Sequence, residues 1–269
     1  MDNLAILPHL QPTVGPATAA PCALEARGLT VSYSGAVRLR EVSAAFPRHR
    51  VTAILGPSGC GKSTLLKTLN RTLELTPGAR VEAGSVLLDG LDVYRDGASA
   101  SWVRAHAGML QQKPAPFPMS ILDNVLFGAR YHGLARDPVN DARHYLERVG
   151  LWGEVKDRLK SSALALSGGQ QQRLCLARTL AVRPSIVLMD EPCSALDPRA
   201  TAVIEGLVRE LAHDYTIVIV THNIAQARRV AAHCVFMLDG EAVASGPRED
   251  MLINPRHPTV RDFVTGLVG

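Results

Sequence analysis

The stretch Gly56-Pro57-Ser58-Gly59-Cys60-Gly61-Lys62-Ser63-Thr64 can cradle a polyphosphate. Glycines let the backbone curl until several N–H groups point inward at phosphate oxygens, where side chains would block the approach. Lys62 adds a point charge for the β- and γ-phosphates and Ser63 a hydroxyl for Mg²⁺, while Thr64 leads into a helix whose N-terminal dipole favours anions. A second group is Asp190-Glu191, two carboxylates that close the apolar run Ile186-Val187-Leu188-Met189. There Asp190 can hold Mg²⁺ while Glu191 serves as base toward the attacking water. The third is Leu166-Ser167-Gly168-Gly169-Gln170-Gln171-Gln172-Arg173. Ser167 and the N–H groups of the glycine pair open a helical run from Gln170 to Val182, a second place where phosphate can meet a helix N-terminus.

These groups need elements to hold them. Val51–Leu55 is apolar and β-prone and Leu65–Leu69 has helical spacing, which supplies the strand, loop and helix a phosphate loop requires. From Leu24 to Val42 the pattern predicts strands with a turn near Ser34-Gly35, and Ser85–Leu88 with Asp89-Gly90 predicts another strand and turn. Together they predict an antiparallel sheet flanking the nucleotide core. Residues 121–159 are helical in pattern, with Ile121, Leu122, Val125 and Leu126 on one stripe and Tyr145, Leu146 and Val149 on another. Alternation resumes with Ile186–Met189 and Thr216–Val220, continuous apolar runs typical of buried parallel strands, separated by a helical stretch from Arg199 to Leu211. The fold expected is α/β: a P-loop NTPase core with a parallel sheet, a flanking antiparallel β-subdomain and an inserted α-helical subdomain at about 115–180. Residues 1–21, with Pro8, Pro12, Pro16 and Pro21, read as a mobile tail.

Composition bounds the rest. The 269 residues, 46% hydrophobic, suffice for a large core. A net charge of +4 with scattered arginines gives no reason to expect nucleic acid as a partner. No apolar run approaches the ~18 residues of a membrane span, so other chains would have to provide any channel. Asp2, Pro8 and the lack of Lys or Arg before Arg27 argue against a secretory signal, which places the protein in the cytosol. Cys22, Cys60, Cys175, Cys193 and Cys234 have no CxxC spacing and suit reduced thiols. Cys60, beside positive charge in the phosphate loop, reads either as a favoured thiolate or as a small filler.

The phosphate loop, the Ser167 signature, the Asp190-Glu191 strand, the D-loop Ser194-Ala195-Leu196-Asp197 and Thr221-His222 occur in the order of the ATP-binding-cassette superfamily. The chain resembles that superfamily over residues 24–269, which implies one ATPase domain across 22–269. In the family two cassettes pair head to tail. The resemblance therefore implies a homodimer in which ATP on the loop of one copy meets Ser167, Gly168, Gly169 and Gln170 of the other. By the same likeness Tyr33 stacks on adenine, although on residue chemistry alone it serves equally as core. Likewise Gln112 contacts Mg²⁺ and relays nucleotide state to the membrane partner. Gln111 is its rival in register, and Lys113-Pro114 favours Gln112. His222 matches the switch histidine at the γ-phosphate.

At finer grain the chain resembles the ATPase subunit of bacterial high-affinity phosphate importers. The matching residues include Asn70-Arg71, Pro77–Val81, Gln112-Lys113-Pro114, Pro116–Ile121, Val155–Leu159 and Tyr215–Asn223. Ala115, Gln111 and Cys193 depart from that pattern. The likeness implies ATP and Mg²⁺, two integral membrane permease subunits, indirectly a periplasmic phosphate-binding protein, and a peripheral place on the cytoplasmic face of the inner membrane. Rival readings are import of another anion or small solute, a soluble cassette acting on nucleic acid or ribosomes, and a sensor without turnover. Phosphate as cargo is implied by the resemblance and is not read from residue chemistry, and Glu191 and His222 argue for turnover.

Overall fold

The computed structural model describes residues 22–95 and 97–266. The predicted tail at 1–21 lies outside the described residues. The chain opens with β1 (Cys22–Tyr33) and β2 (Ala36–Pro47), joined at Ser34-Gly35, where Ser34 takes φ 49° and Gly35 φ 84° as a tight hairpin demands. It continues through β3 (Val51–Leu55), α1 (Lys62–Leu69), β4 (Ala79–Leu88) and β5 (Leu91–Asp92). Next come α2 (Ala100–His106), β6 (Ala107–Leu110), α3 (Ile121–Tyr131), α4 (Pro138–Arg148), α5 (Trp152–Val155) and α6 (Gly168–Leu180). The last part carries β7 (Ile186–Asp190), α7 (Pro198–Leu211), β8 (Thr216–Val220), α8 (Ile224–Val230), β9 (His233–Leu238), β10 (Glu241–Pro247), a π-helical turn at Glu249–Ile253, and α9 (Pro258–Val264).

Two sheets form. One is antiparallel, ordered β2-β1-β4-β5, with Glu25 opposite Ala45 on one side and Leu87 on the other. The second is ordered β10-β9-β3-β8-β7-β6, parallel throughout except for the antiparallel edge strand β10. Its central strands β3, β7 and β8 are buried at every residue, as expected of a parallel sheet covered on both faces. Side chains alternate between two cores. Ala53, Met189, Ile219 and Phe236 join the helical layer, whereas Ile54, Leu188, Val218 and Val235 join α1 and the antiparallel sheet. Each fully buried Leu or Ile in these layers contributes about 1.5–3 kcal/mol, which holds the strand ends in fixed relation.

Helix starts follow local chemistry. Ser120, Asp137, Ser167, Asp197 and Asn223 each cap a helix with a side-chain oxygen. The expected helical stretch at 121–159 resolves into α3, α4 and α5 with a short 3-10 turn after them. α6 begins at Gly168, two residues before the predicted Gln170, because the Ser167 cap already fixes the first turn. Strand β6 and the pair β9–β10 lack a strong alternating signal in sequence, and the sheet recruits them.

Candidate functional site

The C-terminal ends of β3, β6, β7 and β8 lie side by side, and the predicted chemical residues follow directly from each. This is where open α/β sheets bind ligands. Two backbone bonds carry the ladder beyond the strands: Thr221 N–H donates to Ile54 O at 3.3 Å and Glu191 N–H to Val220 O at 2.9 Å.

After β3 the chain makes its loop. Gly56 has φ 145°, and a Cβ there would overlap the Met237 carbonyl oxygen and lie 2.9 Å from Cys60 Sγ, so only glycine fits. Gly59, at φ 81°, has nothing within 4 Å of an added Cβ and borders open space. Gly61 precedes α1 at φ 103° and, as a glycine, gives the first turn no side-chain cap. Lys62 is buried, and its Nζ donates to Gly56 O at 2.8 Å and Pro57 O at 2.7 Å, so the ammonium braces the loop. Burial pushes the Cys60 thiol pKa up, only partly opposed by Lys62. Of the two readings of Cys60, its burial favours the small filler.

A cavity of about 500 Å³ opens over this loop, lined by Tyr33, Arg38, Ser58, Gly59, Lys62 and Glu191 among others. Tyr33 Oη lies 3.4 Å from Thr64 Oγ1 and forms one wall. Ser63 Oγ donates to Asp190 Oδ1 at 3.0 Å, bridging 127 positions of sequence. Burial raises the Asp190 pKa, as does nearby Glu191, while the Ser63 hydroxyl and Lys67 lower it. A hydroxyl and a carboxylate, both hard oxygen donors, fit Mg²⁺, which takes one or two protein oxygens with the remainder from phosphates and water. Uncapped helix N–H groups, a loop that excludes side chains and a buried lysine likewise fit a nucleotide polyphosphate.

Glu191 sits at φ 42°, a backbone state unfavourable for a non-glycine residue. The turn is held by its carbonyl, which accepts from Ser194 N–H at 3.1 Å. Its carboxylate meets His222 Nδ1 at 3.0 Å and Gln112 Nε2 at 3.3 Å, and Gln112 also reaches Ser194 Oγ at 3.4 Å. Side chains from the loops after β6 and β8 thus converge on the carboxylate that follows β7. Gln112, not Gln111, points there; the Gln111 carbonyl instead accepts from buried Gln172 at 3.4 Å.

The signature stands elsewhere. Ser167 and Gln170 form a reciprocal capping box, and Ser167 and Gly168 are exposed. Gln170 Nε2 and Arg173 Nη1 both donate to Glu154, at 2.7 and 2.8 Å, and Arg173 holds that carboxyl below its usual pKa range. None of the signature residues lines the nucleotide cavity. Ser194, Ala195, Leu196 and Asp197 form the turn into α7, where Asp197 accepts from Arg199 N–H at 2.8 Å and Ala200 N–H at 3.0 Å. These backbone donors lower its pKa. Gly169 brings the signature close to α7, since a Cβ there would lie 3.1 Å from Ala200 Cβ.

The family profile described as ABC transporter matches residues 39–194. The chain belongs to the ABC transporter family. It carries the ATPase domain of such a transporter. Among solved structures it is similar to cbiO1 from Clostridium perfringens, described as part of the ABC transporter complex cbiONQ. That likeness has a TM-score of 0.74 and 26% identity over 90% of this chain and 94% of that one. It is also similar in fold to a bacterial Atm1-family ABC exporter with ATP bound, with a TM-score of 0.77 and 23% identity. The match covers 94% of this chain but spans only 43% of the exporter chain. The fold expectation of a P-loop NTPase with parallel and antiparallel sheets holds. Among the described residues no helix is long and apolar enough to cross a membrane.

Arg38 is the residue that sequence reasoning missed. It faces the cavity from β2 beside the Tyr33 hairpin, and no carboxylate pairs with it among the described residues. The hairpin register, with Tyr33 opposite Ala36 and Ser32 opposite Val37, was the available signal.

Proposed function

We propose that this cassette is the ATP-hydrolysing subunit of an importer that brings inorganic phosphate across the cytoplasmic membrane. The observation that supports hydrolysis most directly is the convergence of Gln112, His222 and Ser194 on Glu191 at the mouth of a cavity floored by Lys62 and Ser63. Glu191 takes the proton of the attacking water, and His222 keeps that carboxylate aimed. Lys62 offsets charge that builds on the transferred phosphoryl group. Ser63 and Asp190, with Gln112 nearby, would hold Mg²⁺, which when bound neutralises phosphate oxygens. Tyr33 offers an aromatic wall for the base.

Ser167 and Gly168 are exposed, and Ser167 to Gln170 lie outside the cavity wall and present a capped helix start, which suits completion of the site by a second copy. The same α6 layer carries a second device. Asn124, fully buried, accepts from Phe117 N–H at 2.8 Å and donates to Phe117 O at 3.1 Å, and the Arg178 guanidinium stacks 4.2 Å from the Phe117 ring. This knot stiffens the loop after Gln112 and leaves Phe127 and Tyr131 exposed on α3. We assign that face to a permease subunit, in keeping with the membership of cbiO1 in a multi-subunit complex. Two permease subunits, a periplasmic phosphate-binding protein acting through them, and a peripheral site on the cytoplasmic face complete the proposal. The division into a 22–269 ATPase domain with helices at about 115–180 inserted belongs to it as well. Phosphate as cargo rests on the sequence resemblance alone.

Reconstitution with the membrane subunits that co-purify with it decides the matter. ATP-driven accumulation of labelled phosphate in vesicles is expected. Transport of a different solute with no phosphate uptake would overturn the cargo, and absence of ATP hydrolysis would overturn the enzyme.

A further inference from the structure

A second cavity, of about 480 Å³, lies between α8, the π-helical turn and α9, and shares no wall residue with the nucleotide cavity. Arg228, Arg256 and Arg261 line it, with Asn254, Thr265 and Ile253 between them. We propose that it is a binding site for a phosphate group, carried either by a small solute or by a lipid headgroup.

Charge bookkeeping supports this. Nearby arginines have acidic partners: Arg229 forks onto buried Glu205 with two 2.7 Å bonds, and Arg248 pairs with Glu249. Arg228 and Arg261 have no carboxylate partner among the described residues. Arg256 has only a 3.4 Å contact to Asp250 and is 87% exposed. Two of the three arginines are thus without a carboxylate partner, all three are exposed, and a doubly charged oxyanion is a small species that can neutralise them.

Geometry favours the same ligand. Arg228 Nε and Nη2 both donate to Leu252 O, at 3.2 and 3.0 Å, so its plane is fixed while its remaining N–H groups stay uncommitted. Arg261 Nε makes one long bond to Pro255 O at 3.4 Å, which leaves its terminal nitrogens to the cavity. A preoriented guanidinium fork matches phosphate oxygens two at a time and loses little conformational freedom on binding. Ile253 and Val264 give one apolar side, which suits the carbon skeleton of a phosphate ester.

The test uses the full chain with Mg²⁺ and a non-hydrolysable ATP analogue in excess, which fills the γ-phosphate position, so that added phosphate does not report on the loop at Lys62. Inorganic phosphate is titrated by calorimetry into the wild type, Arg228→Ala and Arg261→Glu, with thermal unfolding run on each. In parallel, all three are sedimented with phosphatidylglycerol vesicles. Arg261→Glu keeps the Leu252 anchor of Arg228 and is the variant expected to stay folded. Saturable phosphate binding weakened about tenfold or more by Arg261→Glu, and relieved by raised salt, is the expected result. Vesicle binding alone, with the same Arg261 dependence, would assign the phosphate group to lipid. Heats and sedimentation that are absent, or equal in wild type and Arg261→Glu, would overturn the site. Failure of the analogue itself to bind would count against the nucleotide cavity and leave this comparison readable.

Discussion

Glu191→Gln separates chemistry from folding more cleanly than any other change at this site. Gln has the shape of Glu and meets the same backbone demand at φ 42°, so the substitution adds no new steric cost. The carboxylate is approached by His222 Nδ1 at 3.0 Å and Gln112 Nε2 at 3.3 Å. An amide can turn its oxygen to one of these donors but not to both, so at most one hydrogen bond is lost, about 1 kcal/mol. Midpoint temperature should fall by only a few degrees. What disappears is basicity. Loss of a positioned general base lowers kcat by about 10²–10⁴, equivalent to about 3–5 kcal/mol of barrier. The assay is phosphate release at saturating MgATP, with nucleotide affinity measured on the same preparation and dimer formation followed by light scattering. Affinity should stay within about threefold of wild type, since the groups that grip the polyphosphate are untouched, and an ATP-bound dimer should accumulate. A variant that hydrolyses ATP within about threefold of the wild-type rate would refute the base assignment. One that loses ATP binding altogether would show that Glu191 holds the loop instead.

Lys62→Ala removes a buried ammonium and leaves the Gly56 and Pro57 carbonyls without their donor. MgATP affinity should drop by about a hundredfold or more, with loss of nucleotide-dependent dimerisation; an unchanged dissociation constant would exclude Lys62 as a phosphate ligand. Arg38→Ala should raise KM for ATP about three- to tenfold at constant kcat, because an unpaired cation at the cavity mouth serves binding and not the chemical step. A fall in kcat with KM unchanged would contradict this. Cys60, with its thiol pKa raised by burial, stays protonated at neutral pH, and its thiolate fraction grows only as pH climbs past the ordinary thiol range. Iodoacetamide at pH 7.5 should therefore label Cys60 about tenfold more slowly than a free thiol, read by peptide mass mapping. Faster labelling would restore the activated-thiolate reading.

Much of this molecule is written locally. The glycine pattern with Lys62 and Ser63, the acids that end a five-residue apolar strand, and the Ser167 cap with Gln170 three positions on are each specified by neighbours within one turn or one strand. Their physical meaning survives without knowledge of distant contacts, and the strand–loop–helix order is legible for the same reason. Tertiary structure decides the rest. Ser63 meets Asp190 only because β7 lies one strand away from β3, across β8. Gln112 is selected over Gln111 by which side chain β6 aims at Glu191, a choice that composition cannot make because the residues are identical in type. The Met237 carbonyl makes Gly56 obligatory, yet β9 carries no sign in sequence of that approach. Arg38 enters the site through hairpin register, and Cys60 is buried by packing that its neighbours in sequence do not reveal. Covalent neighbours set which chemistry each segment can offer, while sheet order, a long-range packing outcome, sets which segments meet.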